Sequence, residues 1–107
     1  MNLDIPRIAK RLREVLEVTA PGLIEKAILF GSRVYGTATP DSDLDILVVL
    51  KGECPWQLKN AIYDACYQLD LEFDVVTDVK VYGLDQLSNA DGTQPFIISA
   101  FEHGVAA

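Results

Sequence analysis

Along residues 4–20 the apolar side chains Ile5, Ile8, Leu12, Val15 and Leu16 return at helical spacing. Asp4 stands where it can cap the start and Pro21-Gly22 where it stops the run, so the pattern predicts an amphipathic helix over 4–20. The outer face carries Arg7, Lys10, Arg11 and Arg13, which reads first as a solvated face and only second as a contact for an acidic partner. Beyond the Pro-Gly stop the pattern changes. Ala27 to Phe30 is a short apolar run ending at Gly31, and Leu44 to Leu50 is a longer one rich in β-branched residues; both read as buried strands. Between them Ser32 to Tyr35 suits a brief helical turn, and Gly36 to Ser42 gathers the Gly, Thr, Pro, Asp and Ser of a loop.

Pro55 fits the first turn of a further helix, in which Trp56, Ile62, Ala65, Cys66 and Leu69 form an apolar stripe to about Leu69, with Trp56 read as packing. Residues 71–77 then alternate, with Leu71, Phe73 and Val75 on one side and Glu72, Asp74 and Val76 on the other, which predicts a third strand. Pro95 and Gly104 bracket a last short helix carrying Phe96, Ile97, Ala100 and Phe101. The order of elements predicts an α/β fold: a small mixed sheet of three or more strands flanked by helices. No internal repeat, low-complexity tract or linker interrupts it.

The composition agrees with such a core. The chain of 107 residues is 50% hydrophobic and 23% charged, which excludes a disordered or collagen-like polymer, and its length predicts one domain over 1–107. The net charge is −7 and unevenly spread: residues 1–30 carry +1, residues 31–107 carry −8. So acidic a chain has no general attraction for phosphate backbones, and stable nucleic-acid binding is not expected. Nothing approaches the roughly 18–20 apolar residues of a membrane span, and Met1 to Lys10 lacks the apolar centre of a signal peptide, so the expected location is the cytoplasm. Cys54 and Cys66 stand twelve residues apart, about 18 Å along a helix, too far for a disulfide, and read as reduced structural thiols.

The informative stretch runs from Gly31 to Asp45. A glycine at a strand end lets a ligand approach the backbone, and Ser32 adds a hydroxyl donor beside it. Asp43 and Asp45 are two apart at the start of a strand and share a face, and Asp74 on the expected third strand can reach the same point, although Glu72 shares its face and competes for the role. Three carboxylates together repel unless a cation joins them, and hard oxygen donors with open positions suit Mg²⁺. Two familiar look-alikes fail on single residues. Thr37 stands where a P-loop needs Lys, and Ile46 and Gly52 stand where an EF-hand loop needs Gly and Glu. His103 sits at a helix C-terminus, where a dipole contact is its expected role, and Tyr35, Tyr63, Tyr67 and Tyr82 read as packing.

Gly31-Ser32 at a strand end, ten intervening residues, then Asp43-x-Asp45 opening an apolar strand, with a later strand Asp, resembles the minimal nucleotidyltransferases of the DNA polymerase beta-like superfamily. Ser42 to Asp45 and the closing segment Phe96 to Gly104 are similar to that family as well. The resemblance implies a nucleotidyltransferase fold and a metal-dependent transfer of a nucleoside monophosphate, AMP from ATP, to a hydroxyl with release of pyrophosphate. It implies that Gly31 and Ser32 hold the terminal phosphates, with Arg33 aiding them. It further implies that Asp43 and Asp45 ligate two Mg²⁺ ions and that Asp74 binds the catalytic one and helps deprotonate the acceptor. Val34 and Tyr35 depart from the pattern, since many members have Ala and Arg there. Members of this size resemble the antitoxins of HEPN-type ribonuclease toxins, some of which adenylylate the toxin on tyrosine, so a HEPN-type protein is the expected partner and acceptor. The Val34-Tyr35 departure keeps a second expectation open, a catalytically inactive subunit that neutralises or scaffolds its partner by contact. Transfer to a small molecule such as an aminoglycoside ranks third, because nothing in the sequence encloses one. Self-association is left open.

Overall fold

In a computed structural model of the chain, which describes residues 3–36, 42–88 and 94–107, helix α1 covers Ile5–Thr19. The Asp4 side chain accepts a hydrogen bond from the Arg7 backbone N–H at 3.2 Å, the cap expected from the sequence. Strand β1 is Ile24–Phe30, α2 the single turn Ser32–Tyr35, and β2 is Leu44–Leu50. The loop expected over 36–42 falls outside the described residues at 37–41. Helix α3 spans Trp56–Phe73, β3 Thr77–Gly83, α4 Leu84–Leu87, α5 Pro95–His103 and β4 Val105–Ala106.

The sheet is mixed, with strand order β3-β2-β1-β4. β1 runs antiparallel to β2 and to β4, while β2 and β3 are parallel and joined through α3. The two faces differ. Ala27, Leu29, Leu44, Ile46, Val48, Leu50 and Val81 lie under α1 and α3, joined by Ile8, Leu12 and Leu16 from α1 and by Ile62, Cys66 and Leu69 from α3. Each fully buried Leu or Ile there contributes about 1.5–3 kcal/mol. Ile28, Phe30, Leu47 and Val49 face the other way and are covered by Ile97 and Ala100 of α5.

The expected strand at 71–77 is corrected. Residues 71–73 are the last turn of α3, and the third strand begins at Thr77. The reason is visible in the contacts. Arg11 of α1 reaches Glu72 at 2.9 Å, and the Arg7 guanidinium lies over the Phe73 ring at 5.6 Å, so packing of α1 on α3 carries the helix past Leu69. Helical spacing from Leu69 to Phe73 thus prevails over the local alternation. Asp74 then ends the helix in the left-handed region at φ 51°, its N–H bonded to the Asp70 carbonyl. Asp70 also accepts from Thr77 Oγ1 at 2.6 Å and from the Thr77 N–H at 3.2 Å, which fixes the start of β3 against the helix end.

Trp56 is a second correction: it opens α3 with its side chain 69% exposed and is not a core residue. Cys54 and Cys66 are free, as expected, and burial, with Asp70 adding to it, pushes the Cys66 thiol up to about 12. Among the described residues no helix is long and apolar enough to cross a membrane.

Candidate active site

The site starts from Gly31. It leaves β1 with φ 85°, a conformation that only glycine adopts readily, and an added Cβ would fall onto the Asp45 carboxylate, with Asp45 Cγ 2.9 Å away. The glycine is therefore required twice, for the turn and for the room that Asp45 occupies. Ser32 opens α2 directly after it, and the Val34 and Tyr35 N–H groups both return to the Gly31 carbonyl at 3.0 Å. Arg33 Nε donates to the Ser42 carbonyl at 2.9 Å, tying the turn to the segment that enters β2. Arg33, expected at the phosphates, is thus seen bracing the residue next to Asp43.

Asp45 lies between Leu44 and Ile46, which are buried under α1 and α3, so its side chain belongs to the α5 face, opposite Phe30 in the β1 register. Leu44 N–H bonds the Val76 carbonyl at 2.8 Å and begins the parallel register, which sets Asp45 beside Asp78. Asp78, which the sequence analysis does not single out, is the carboxylate that the sheet register places beside Asp45. Its signal was the run Thr77-Asp78-Val79-Lys80-Val81-Tyr82, in which β-branched residues alternate with polar ones. Asp74, expected as the third acid, is exposed at the helix end, four residues short of the sheet position. Glu72, its competitor, is held by Arg11 on the α1 side.

The charges agree with this placement. The Asp45 carboxyl is raised above its ordinary range, first by burial and then by the negative charges of Asp78 and Asp43, with Lys80 acting in the opposite sense. Lys80 Nζ sits 3.3 Å from Asp78 Oδ1. Tyr35 does not face this cluster as a phosphate contact would. Its hydroxyl lies 3.0 Å from Ser99 Oγ, and its ring meets His103 of α5 edge-on at 6.3 Å.

Among the described residues no three acids converge closely enough to cage a metal ion by themselves. The donor set nonetheless suits Mg²⁺. It offers hard carboxylate oxygens that repel one another, and this ion is ordinarily held by one or two carboxylates together with substrate phosphates.

The nucleotidyltransferase domain family matches residues 6–106, and the chain belongs to it. Among solved structures it is similar to a mutant of the toxin–antitoxin MntA–HpeT, with TM-score 0.59 and 18% identity over 92% of this chain and 70% of that one. It is equally similar to a toxin–antitoxin crystallised with AMP-PNP, at TM-score 0.59 and 20% identity over the same shares. At such identities the likeness is one of fold. No curated protein matches the chain.

Proposed function

We propose that the chain transfers AMP from ATP to a hydroxyl on a partner protein, as the antitoxin of a toxin–antitoxin pair. The observation that carries this reading is the seating of Asp45 against Gly31 on one side and in register with Asp78 on the other. Asp43 and Asp45 would hold two Mg²⁺ ions and Asp78 would share one of them. When bound, such a pair neutralises the attacking and leaving oxygens of an in-line displacement. Gly31 and Ser32 receive the terminal phosphates, and Arg33 keeps that turn in place. The acceptor oxygen bonds to the α-phosphorus as the bond to the bridging oxygen breaks. The acceptor proton passes to Asp78 and pyrophosphate departs. The base role assigned from the sequence to Asp74 therefore moves to Asp78.

The acceptor is taken to be a HEPN-type protein, a reading supported by the likeness to toxin–antitoxin structures. The test is incubation of the full chain with α-labelled ATP, Mg²⁺ and the product of a neighbouring HEPN gene. Label on that protein supports the proposal; its absence, with both proteins folded and associated, overturns it.

A second reading is favoured by Tyr35, whose side chain is engaged by Ser99 and His103 where many relatives carry a phosphate-binding Arg. On that reading the chain neutralises its partner by contact. D43N and D45N separate the two: a contact-only subunit continues to neutralise, and an enzyme stops.

A further inference from the structure

On the α5 face of the sheet, β3 presents Asp78, Lys80 and Tyr82 beside Asp45, Leu47 and Val49 of β2. Lys80 Nζ lies 3.3 Å from Asp78 Oδ1 and 3.4 Å from Oδ2, so the ammonium straddles that carboxylate. It also lies over the Phe96 ring, 5.4 Å from its centroid, at the start of α5. Its charge reaches Asp45 as well, where it opposes the repulsion from Asp78 and Asp43. An ammonium in this position offsets the crowding of acids that a divalent ion would otherwise offset.

We propose that Lys80 is the resident counter-cation of the carboxylate site, holding Asp78 until a divalent cation arrives together with a triphosphate. The inference rests on the reading of Asp43, Asp45 and Asp78 given above. A cation arriving alone at the position that Asp78 shares must break the Lys80–Asp78 pair and place its charge beside an ammonium, with nothing new to receive that ammonium. A cation arriving with a triphosphate brings oxyanions toward which the ammonium can turn. The pair is half-exposed, and lysine has a flexible four-carbon stem, so the movement is sterically open. Lys80 is in this sense a positioning residue that makes uptake of metal depend on nucleotide.

The test is Mn²⁺ binding to the full chain, followed by electron paramagnetic resonance, with and without a non-hydrolysable ATP analogue. The wild-type chain binds Mn²⁺ weakly alone and more tightly with the analogue. K80M binds Mn²⁺ alone about three- to fivefold more tightly, the range set by loss of a half-exposed ion pair, and the strengthening by the analogue shrinks correspondingly. K80R behaves as wild type, and K59M, which removes a charge on α3, changes neither quantity by more than about twofold. If K80M does not fold, K80Q takes its place. Equal Mn²⁺ affinity and equal nucleotide coupling in wild type and K80M overturn the role of Lys80 while leaving the site itself intact. Absence of Mn²⁺ binding in every form, with or without the analogue, overturns the Lys80 role and the metal site together.

Discussion

The two faces of this sheet are built from the same strands and do opposite things. Leu44, Ile46, Val48 and Leu50 point under α1 and α3 into a layer of apolar side chains. One residue out of phase, Asp45, Leu47 and Val49 point toward α5, and there the apolar cover ends before the sheet does. Asp45 and Ile46 are adjacent in sequence, yet one is a buried methyl-bearing wedge and the other a carboxylate raised by burial and by its acidic neighbours. The pleat thereby keeps Asp45 off the face packed under α1 and α3, while the α5 face combines it with a smaller apolar layer. Perturbing the α1 and α3 face is therefore expected to leave the acids in place, and neutralising the acids to leave the core packed.

The sharpest way to break that division is to change both neighbours. I46A removes a fully buried side chain and costs about 2–5 kcal/mol by urea unfolding, with residual transfer at low temperature near normal per folded molecule. D45N cuts transfer by about a thousandfold, equivalent to about 4 kcal/mol, and leaves the urea midpoint at or above that of wild type. A loss of stability in D45N comparable to that in I46A would show that the faces are not separate.

Next in size is the contrast between two acids four residues apart. On the proposed role of Asp78 as base, D78N lowers transfer by about a hundredfold, whereas D74N stays within about twofold. The reverse order would return the role to the helix end. G31A tests the meeting of turn and carboxylate. Its Cβ strikes Asp45 and its backbone is held at positive φ, so stability falls by about 1–3 kcal/mol and transfer falls with it. Retention of full transfer by G31A would mean that Asp45 does not need its present seat.

The smallest effect concerns pH. Because the Asp45 carboxyl is raised in the fold relative to the unfolded chain, its ionisation disfavours the folded state. That penalty is present at neutral pH and disappears as pH falls through the raised range. D45N therefore melts above wild type at neutral pH without metal, and the difference closes on acidification. A gap that widens on acidification would reverse the sign of the shift.

Much of this arrangement was legible in the residues. The apolar runs at 27–30 and 44–50 and the helices at 4–20 and after Pro95 follow from period and caps, and Gly31 and Asp45 stand out by residue type and spacing. The place of Asp78 beside Asp45 is not legible locally. Leu71 to Val76 alternates as a strand does, but Arg7 and Arg11, more than sixty positions earlier, recruit Phe73 and Glu72 into α3 and move the strand start to Thr77. A pattern confined to a few residues cannot register a partner that distant. Val81 and Tyr82 belong to a run, Thr77–Gly83, whose alternation is equally good. The exposure of Trp56 is not legible either, because helical phase says which side of a helix is apolar and not whether anything covers its first turn.

The most direct measurement is the position of a bound ion. In crystals of the chain grown with Mn²⁺ and a non-hydrolysable ATP analogue, anomalous scattering is expected to place the metal on the α5 face, ligated by Asp45 with Asp43 and Asp78. Mn²⁺ bound instead by Asp74 at the end of α3, or an analogue seated away from Gly31 with no ion on that face, would contradict the assignment.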